Sequence, residues 1–348
     1  MTRNRTFGSR RVALFCAVAM AVSIAASPAF AGDTIKLKIA SIAPPSTPWA
    51  KMVKRIKKSF KKETAKADFK AEVPQKLKIK TYLGGALGGE KDLVQRCLSG
   101  GLGMIGVTSA AIATVVPELN VLELPYLWKN EKQVDAALAG PLGVELKKAL
   151  EKKGFVIYMW AENGFRHFAT RDRFIHKVKN LKGLRMRAQP SYVHTSMYKA
   201  FGAAANPMPA PEVPGALSSG VVDGYDNSLL YAYATQWYSN IKYLTLSSHI
   251  YQPAVITFCK KVYDKMPPKM QSRLMAKAAK IEKAGRAMVR SGNRAALKQH
   301  KAKGVAVEKQ NNPKAFEAKA KAVWAEFARK TPNGKKLLAL AKRAAGKK

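Results

Sequence analysis

The chain has 348 residues, 47% hydrophobic and 9% aromatic, which excludes a disordered polymer and leaves room for two domains with substantial cores. Its formal charge is +40, from 62 Lys and Arg against 22 Asp and Glu. Three cysteines and five scattered histidines form no CxxC, CxxH or HExxH spacing, so zinc and dithiol redox chemistry have no motif to rest on.

The first segment reads as an address. MTRNRTFGSRR is basic, VALFCAVAMAVSIAA is apolar, and SPAFA closes on the small-x-small pattern Ala29-Phe30-Ala31. That is the layout of a secretory signal peptide over residues 1–31, cut after Ala31. The apolar run is too short to span a bilayer comfortably, and no later stretch is long and apolar enough to do so. Ser9 to Leu14 partly resembles a twin-arginine signal, but ordinary signal peptides are also Arg-rich, so the export route stays open. The mature chain, four arginines lighter, still carries about +36. From Lys269 to Lys348 there are 23 Lys or Arg against four Glu, and Lys51 to Lys70 adds nine against two. Such a surface adsorbs nonspecifically to anionic polymers or lipid headgroups at low salt. The runs are mostly Lys at helical spacing without aromatic platforms or a helix-turn-helix signature, so nucleic acid is not expected as a partner.

Thr34 to Ala43 alternates Ile35, Leu37 and Ile39, which predicts a strand. In the following PPSTPWAKMVKRIKKSF, Thr47 can cap a helix and Pro48 suits its first turn. Trp49, Met52, Val53, Ile56 and Phe60 recur at helical spacing, with the lysines outward. Lys76 to Leu83 reads as a second strand, EKDLVQRCLSG as a short helix and Leu102 to Val107 as a buried strand. This β-α-β-α-β run predicts a parallel or mixed α/β sheet. GGALGG lacks the GKS or GKT of a phosphate loop and the dinucleotide spacing, and reads as a flexible turn. Then come one amphipathic helix from Glu131 to Lys153, the strand FVIYMWAENG, the segment RHFATRDRFI and a helix from Tyr192 to Phe201. From about Met266 onward the pattern is almost wholly helical, broken near Gly304 and from Asn311 to Pro313. A quasi-repeat links CLSGGLGMIGVTS (Cys97 to Ser109) with ALSSGVVDGYDNS (Ala216 to Ser228), as in a chain of two similar α/β halves. Cys97 and Cys259 lie in apolar contexts; they pair in an oxidising compartment or stay as free buried thiols.

One stretch poses a chemical question. In LKGLRMRAQP, a strand turns Leu184 and Met186 one way and Arg185 and Arg187 the other. The planar fork of Arg is the side chain best matched to a carboxylate or phosphate. Either this is a solvated edge strand in a basic protein, or one wall of a cleft for an organic anion.

An ordered set of motifs, from about Ile35 to Met275, carries a family likeness: LGGALGGEKDLVQRCLSGGLGM, ELPYLW, NGFRHFATRDR, LKGLRMRAQPS, FGAAANPMPAPEVPGALSSGVVDGYDNSLL and KYLTLSSHIY. By these the chain resembles the DctP-type extracytoplasmic solute receptors of tripartite ATP-independent periplasmic (TRAP) transporters. The resemblance implies an α/β fold with two-lobed periplasmic-binding-protein architecture, hinge strands and a long interdomain helix. It implies a periplasmic receptor, not an enzyme and without cofactor or metal, that closes on an organic acid anion and delivers it to TRAP membrane permease subunits. The arginine of the family's motif strand matches Arg187, which would clamp the ligand carboxylate, while Arg185 falls at a basic, non-clamping position. Arg166, Asn227, Ser41 and Thr108 match positions that face the ligand, and Glu212 and Asp223 match structural positions near the hinge. Tyr192 and Tyr225, with Trp160, Phe165 and Tyr231, adjoin these motifs and are candidates for apolar walls, core packing being the alternative for about half of them. Ala210 and Pro214 stand where relatives carry aromatic residues, which would enlarge or reshape the pocket.

The lobes are expected over 33–162 with 251–290, and over 163–250 with 291–348 including the basic helical C-terminus, their strands divided rather than joined in one continuous sheet. A competing reading keeps the fold but makes the chain a basic envelope protein that binds acidic polymers or lipid headgroups through its lysines.

Overall fold

The computed structural model describes residues 34–347; the expected export signal, with Cys16, lies outside the described residues. The strands are β1 (Ile35–Ser41), β2 (Leu77–Tyr82), β3 (Met104–Thr108), β4 (Phe155–Thr170), β5 (Arg185–Ala188), β6 (Ala204–Pro207), β7 (Gly224–Ser228), β8 (Tyr243–Cys259) and β9 (Ala306–Lys309). Their spatial order is β2-β1-β3-β8-β4-β7-β5-β6, with β9 also beside β8. β1 runs parallel to β2 and β3, and β5 parallel to β6 and β7, so each end of the sheet is a parallel α/β unit.

Division of the strands between two sheets does not hold: hydrogen bonds link all nine into one ladder. The cause is β4 and β8, of 16 and 17 residues, long enough to serve both lobes. Residues 254–258 of β8 pair with β3 in the first lobe. Residues 166–170 of β4 pair with β7 in the second. The β4–β8 register shifts between these regions, at Glu162/Gly164, and again within the second, at Arg166/Phe168. Gly164 adopts φ +91°, and a Cβ there would also meet Asn293 Nδ2 at 2.8 Å. The molecule is two-lobed, with two irregular strands shared between the lobes.

Side-chain patterning explains the first lobe. Thr47 caps the helix Pro48–Thr64 by accepting the Ala50 N–H at 3.3 Å. Trp49, Met52, Val53, Ile56 and Phe60 are buried against Leu37 and Ile39 of β1 and Phe258 of β8. Full burial of each such side chain contributes about 1.5–3 kcal/mol. The single helix expected from Glu131 to Lys153 is two, Glu131–Ala139 and Pro141–Lys152. Gly140 and Pro141 break it because proline has no N–H for a preceding turn and starts the next helix instead. Cys97 and Cys259 form a disulfide with Cα atoms 5.1 Å apart, fastening the helix Glu90–Ser99 to the end of β8.

The C-terminal region is not wholly helical. β9 follows Gly304 and pairs in parallel with residues 243–246 of β8. The 25-residue helix Ala278–Ala302 places Ile281 and Val289 in the first-lobe core and Ala296 in a second-lobe cluster, so it spans both lobes. The helix Pro313–Lys330 does likewise, with Phe316 in the second lobe and Phe327 in the first. The last helix, Gly334–Ala344, packs Leu337 and Ala341 into the first-lobe core, and Gln133 Nε2 donates to the Ala345 carbonyl at 2.8 Å.

Candidate functional site

A cavity of about 380 Å³ opens where the two lobes meet. The two halves of the quasi-repeat end here: β3 delivers Thr108 and β7 delivers Asn227 at equivalent strand ends, each followed by a short helix. Ser41, at the end of β1, completes the first-lobe rim and is buried, accepting the Ala43 N–H at 3.3 Å. Trp49, Ile42, Ala43, Ala111, Ala210 and the prolines 190, 207 and 209 supply apolar wall.

Arg187 and Arg185 part company despite facing the same way. Arg185, at the open end of β5, is half exposed and forms an ion pair with Asp223 at 2.6 Å. Arg187, two residues deeper, is 3% exposed and lines the cavity. Its Nε and Nη2 both donate to the Met208 carbonyl, at 3.2 and 2.9 Å. Its guanidinium lies over the Trp237 ring, 5.4 Å from the centroid. Among the described residues no carboxylate lies within ion-pair distance of it, and Nη1 has no protein acceptor. Burial, with the neighbouring Arg166 cation, pushes its pKa down to about 10, the mark of a cation short of compensation.

Arg166 is differently placed. Its Nε donates to Asp226 Oδ2 at 2.5 Å, Nη2 reaches the Asp226 carbonyl, and Nη1 bonds Gln252 Oε1 at 2.9 Å and Asn227 Oδ1 at 3.3 Å. Although burial alone would push the Asp226 carboxyl up, Arg166 and the His249 ring hold it well below the usual carboxylate range. Arg166 is thus already neutralised, and it orients Asn227 and Gln252 toward the cavity.

Two residues missed by motif reasoning complete the lining. Gln189 lies two residues beyond Arg187 on the same face, so the alternation of β5 could have found it. Its Nε2 donates to Thr108 Oγ1 at 2.7 Å, a bond that crosses from the second lobe to the first. Glu90 follows the GGALGG turn and begins the helix Glu90–Ser99; its carboxyl oxygens accept from the Thr108 N–H and O–H, each at 2.7 Å. Burial pushes its pKa up to about 7 against those hydrogen bonds. Below the cavity, Glu123 accepts from Ser109 Oγ, the Ala110 N–H and Gln252 Nε2, and also bonds His194 Nε2 at 2.8 Å.

The cavity therefore gathers Arg187, Arg166, Asn227, Ser41 and Thr108, and leaves out two others. The Tyr225 ring is packed edge-on against Trp237, with ring centroids 5.1 Å apart, and does not line the cavity. Tyr192 faces a neighbouring groove and its hydroxyl is 3.1 Å from Thr331 Oγ1. Of the remaining aromatic candidates only Tyr231 lines the cavity, while Trp160 and Phe165 pack in the core. Trp49, whose spacing reads as pure core, forms a wall as well, with its indole N–H donated to the Glu162 carbonyl at 3.0 Å.

Comparison with known proteins follows this geometry. The sequence profile of "Bacterial extracellular solute-binding protein, family 7" (DctP) matches residues 39–331. A solute-binding protein of Verminephrobacter eiseniae is 34% identical over 250 residues, 72% of this chain and 75% of its own. The sugar acid binding protein DctPAm of Advenella mimigardefordensis, solved in complex with galactonate, superposes with a TM-score of 0.82 at 30% identity, covering 90% of this chain and 99% of that one. A TRAP periplasmic solute binding protein of Xanthobacter autotrophicus with bound β-D-galacturonate gives 0.81 at 28% identity, covering 90% and 100%.

Proposed function

The chain belongs to the bacterial extracellular solute-binding proteins of family 7, and from that membership we propose that it is a periplasmic receptor for a sugar acid, held by its carboxylate on Arg187 and handed to a TRAP-type permease. The observation that carries this reading is the state of Arg187: buried at a cleft, hydrogen-bonded to one carbonyl, and without a counter-ion among the described residues. A buried cation is costly unless paired, and a ligand carboxylate supplies a two-pronged acceptor for such a fork. Asn227 Nδ2, with no protein acceptor among the described residues, adds a donor beside it. The apolar wall and the few placed polar groups suit a compact organic acid. The galactonate and galacturonate of the two solved relatives are acids of this kind.

Release of bound small molecules from the denatured protein, identified by mass spectrometry, followed by calorimetric titration at low and physiological salt, tests the reading. A monobasic polyhydroxy acid with micromolar or tighter affinity and a modest salt dependence is expected. Failure of every sugar acid to bind, together with binding of polyanions that collapses with salt, belongs to the envelope-protein reading instead.

A further inference from the structure

On the reading that the cavity takes a sugar acid, we infer that Glu90 sets its charge class: it accepts ligand hydroxyls, and by opposing a second carboxylate it makes the receptor select monoacids over the corresponding diacids.

The inference starts from the balance of charge in the cleft. Arg166 is spent on Asp226 at 2.5 Å, which leaves Arg187 as the buried cation of the cavity without an ion-pair partner among the described residues. One ligand carboxylate compensates it. Glu90 faces the same cavity from the other lobe. It is fixed there by two hydrogen bonds from Thr108 and is approached by Gln189 Nε2 at 3.5 Å, so it cannot easily swing away. An ionised carboxyl has about four acceptor sites and no donor. Thr108 and Gln189 use some of these, and the rest are open to hydroxyl donors from a ligand. A second carboxylate on the ligand brings acceptors to acceptors and like charge to like charge in a partly dehydrated space. Lys91, which could offset this, is exposed to water at the cavity mouth, where its charge is screened. The cleft thus has one place for a carboxylate, at Arg187, and one place that wants O–H groups, at Glu90.

Galactonate and galactarate make the test, because they differ only in whether the far carbon is an alcohol or a carboxylate. Calorimetric titration of the mature protein at about pH 8, where a carboxyl with a pKa near 7 is ionised, is expected to show galactonate at least tenfold tighter than galactarate. In Glu90→Gln, which keeps the shape and the Thr108 O–H as a partner, galactarate should gain at least tenfold relative to galactonate. Equal affinity of the two acids for the wild type overturns the inference while leaving the sugar-acid reading intact. So does a Glu90→Gln variant that weakens both acids alike. If neither acid, nor galacturonate, binds the wild type, the sugar-acid reading fails and takes this inference with it. A thermal melt checks that the variant folds; were it not to fold, the wild-type ratio decides by itself.

Discussion

Arg166 Nε lies 2.5 Å from Asp226 Oδ2, with both side chains 1% exposed or less, and this pair is the electrostatic floor of the cleft. Tyr198 donates to the other Asp226 oxygen at 2.7 Å, and His249 Nε2 is 3.3 Å from Oδ2. The folded carboxyl is thereby held well below its unfolded pKa. The folded state then binds fewer protons than the unfolded chain, so the stabilisation is present above about pH 4 and is lost as pH falls through the folded value. Glu123, held down chiefly by His194 against its burial, acts with the same sign. Denaturant midpoints should fall steeply from about pH 5 to 3, and Asp226→Asn should lower the midpoint at pH 7 while flattening that slope. An unchanged slope in the variant would remove Asp226 from the account.

Glu90 gives binding the opposite pH sense. With its carboxyl pushed up to about 7, it is largely neutral below that value and anionic above it. The charges that bear on it from other elements are Arg187, which favours ionisation, and Glu123, which opposes it. A diacid, whose second carboxylate meets Glu90, should therefore bind more weakly as pH rises from about 6 to 8, with proton uptake on binding, and Glu90→Gln should abolish the trend. Titrations in buffers of different ionisation enthalpy read the proton directly; no proton uptake would refute the coupling.

The disulfide spans 162 residues of sequence and joins a first-lobe helix to the end of a strand shared by both lobes. Cross-links of this kind typically contribute about 2–4 kcal/mol, largely by restricting the unfolded chain. Reduction should lower the unfolding free energy by that amount while leaving ligand affinity little changed, since neither cysteine lines the cavity. Urea melts with and without reductant measure the first, and calorimetry the second.

Gly285 lets the long helix lie against the helix Pro48–Thr64. A Cβ there would stand 2.1 Å from Met52 Sδ. Gly285→Ala gains helix propensity but must displace a buried side chain, and overpacking of this kind costs about 1–3 kcal/mol. A net loss of stability is expected from thermal melts; a gain would mean that Met52 moves freely.

Local chemistry was legible in the sequence where it is local in the chain. The Thr47 cap, the buried stripe from Trp49 to Phe60 and the helix Tyr192–Phe201 all follow from spacing and capping residues. The corner at Gly140 and Pro141 was legible too, but a continuous apolar periodicity masked it. What spacing cannot carry is partnership. That Asp226 silences Arg166, that Trp237 stacks under Arg187, and that Gln189 reaches across to Thr108 are contacts between residues far apart in the chain. Glu90 was hidden differently: the glycines before it read as a flexible turn, and only the tertiary fold turns its helix start toward the cleft. β9 escaped because four residues between helices carry too little periodicity to register as a strand.

The central claim is that Arg187 takes the ligand carboxylate, and paired alanine variants test it most directly. Removing one partner of a buried charged pair costs about 3–5 kcal/mol, a loss of a hundredfold or more in affinity. Arg187→Ala should show that loss in calorimetric titration with the identified acid, and Arg187→Lys should recover only part of it, because an ammonium keeps the charge but not the fork. Arg185, exposed and already paired with Asp223, should tolerate alanine with affinity within about twofold of the wild type. Comparable affinity of Arg187→Ala and Arg185→Ala for a carboxylate ligand would contradict the account.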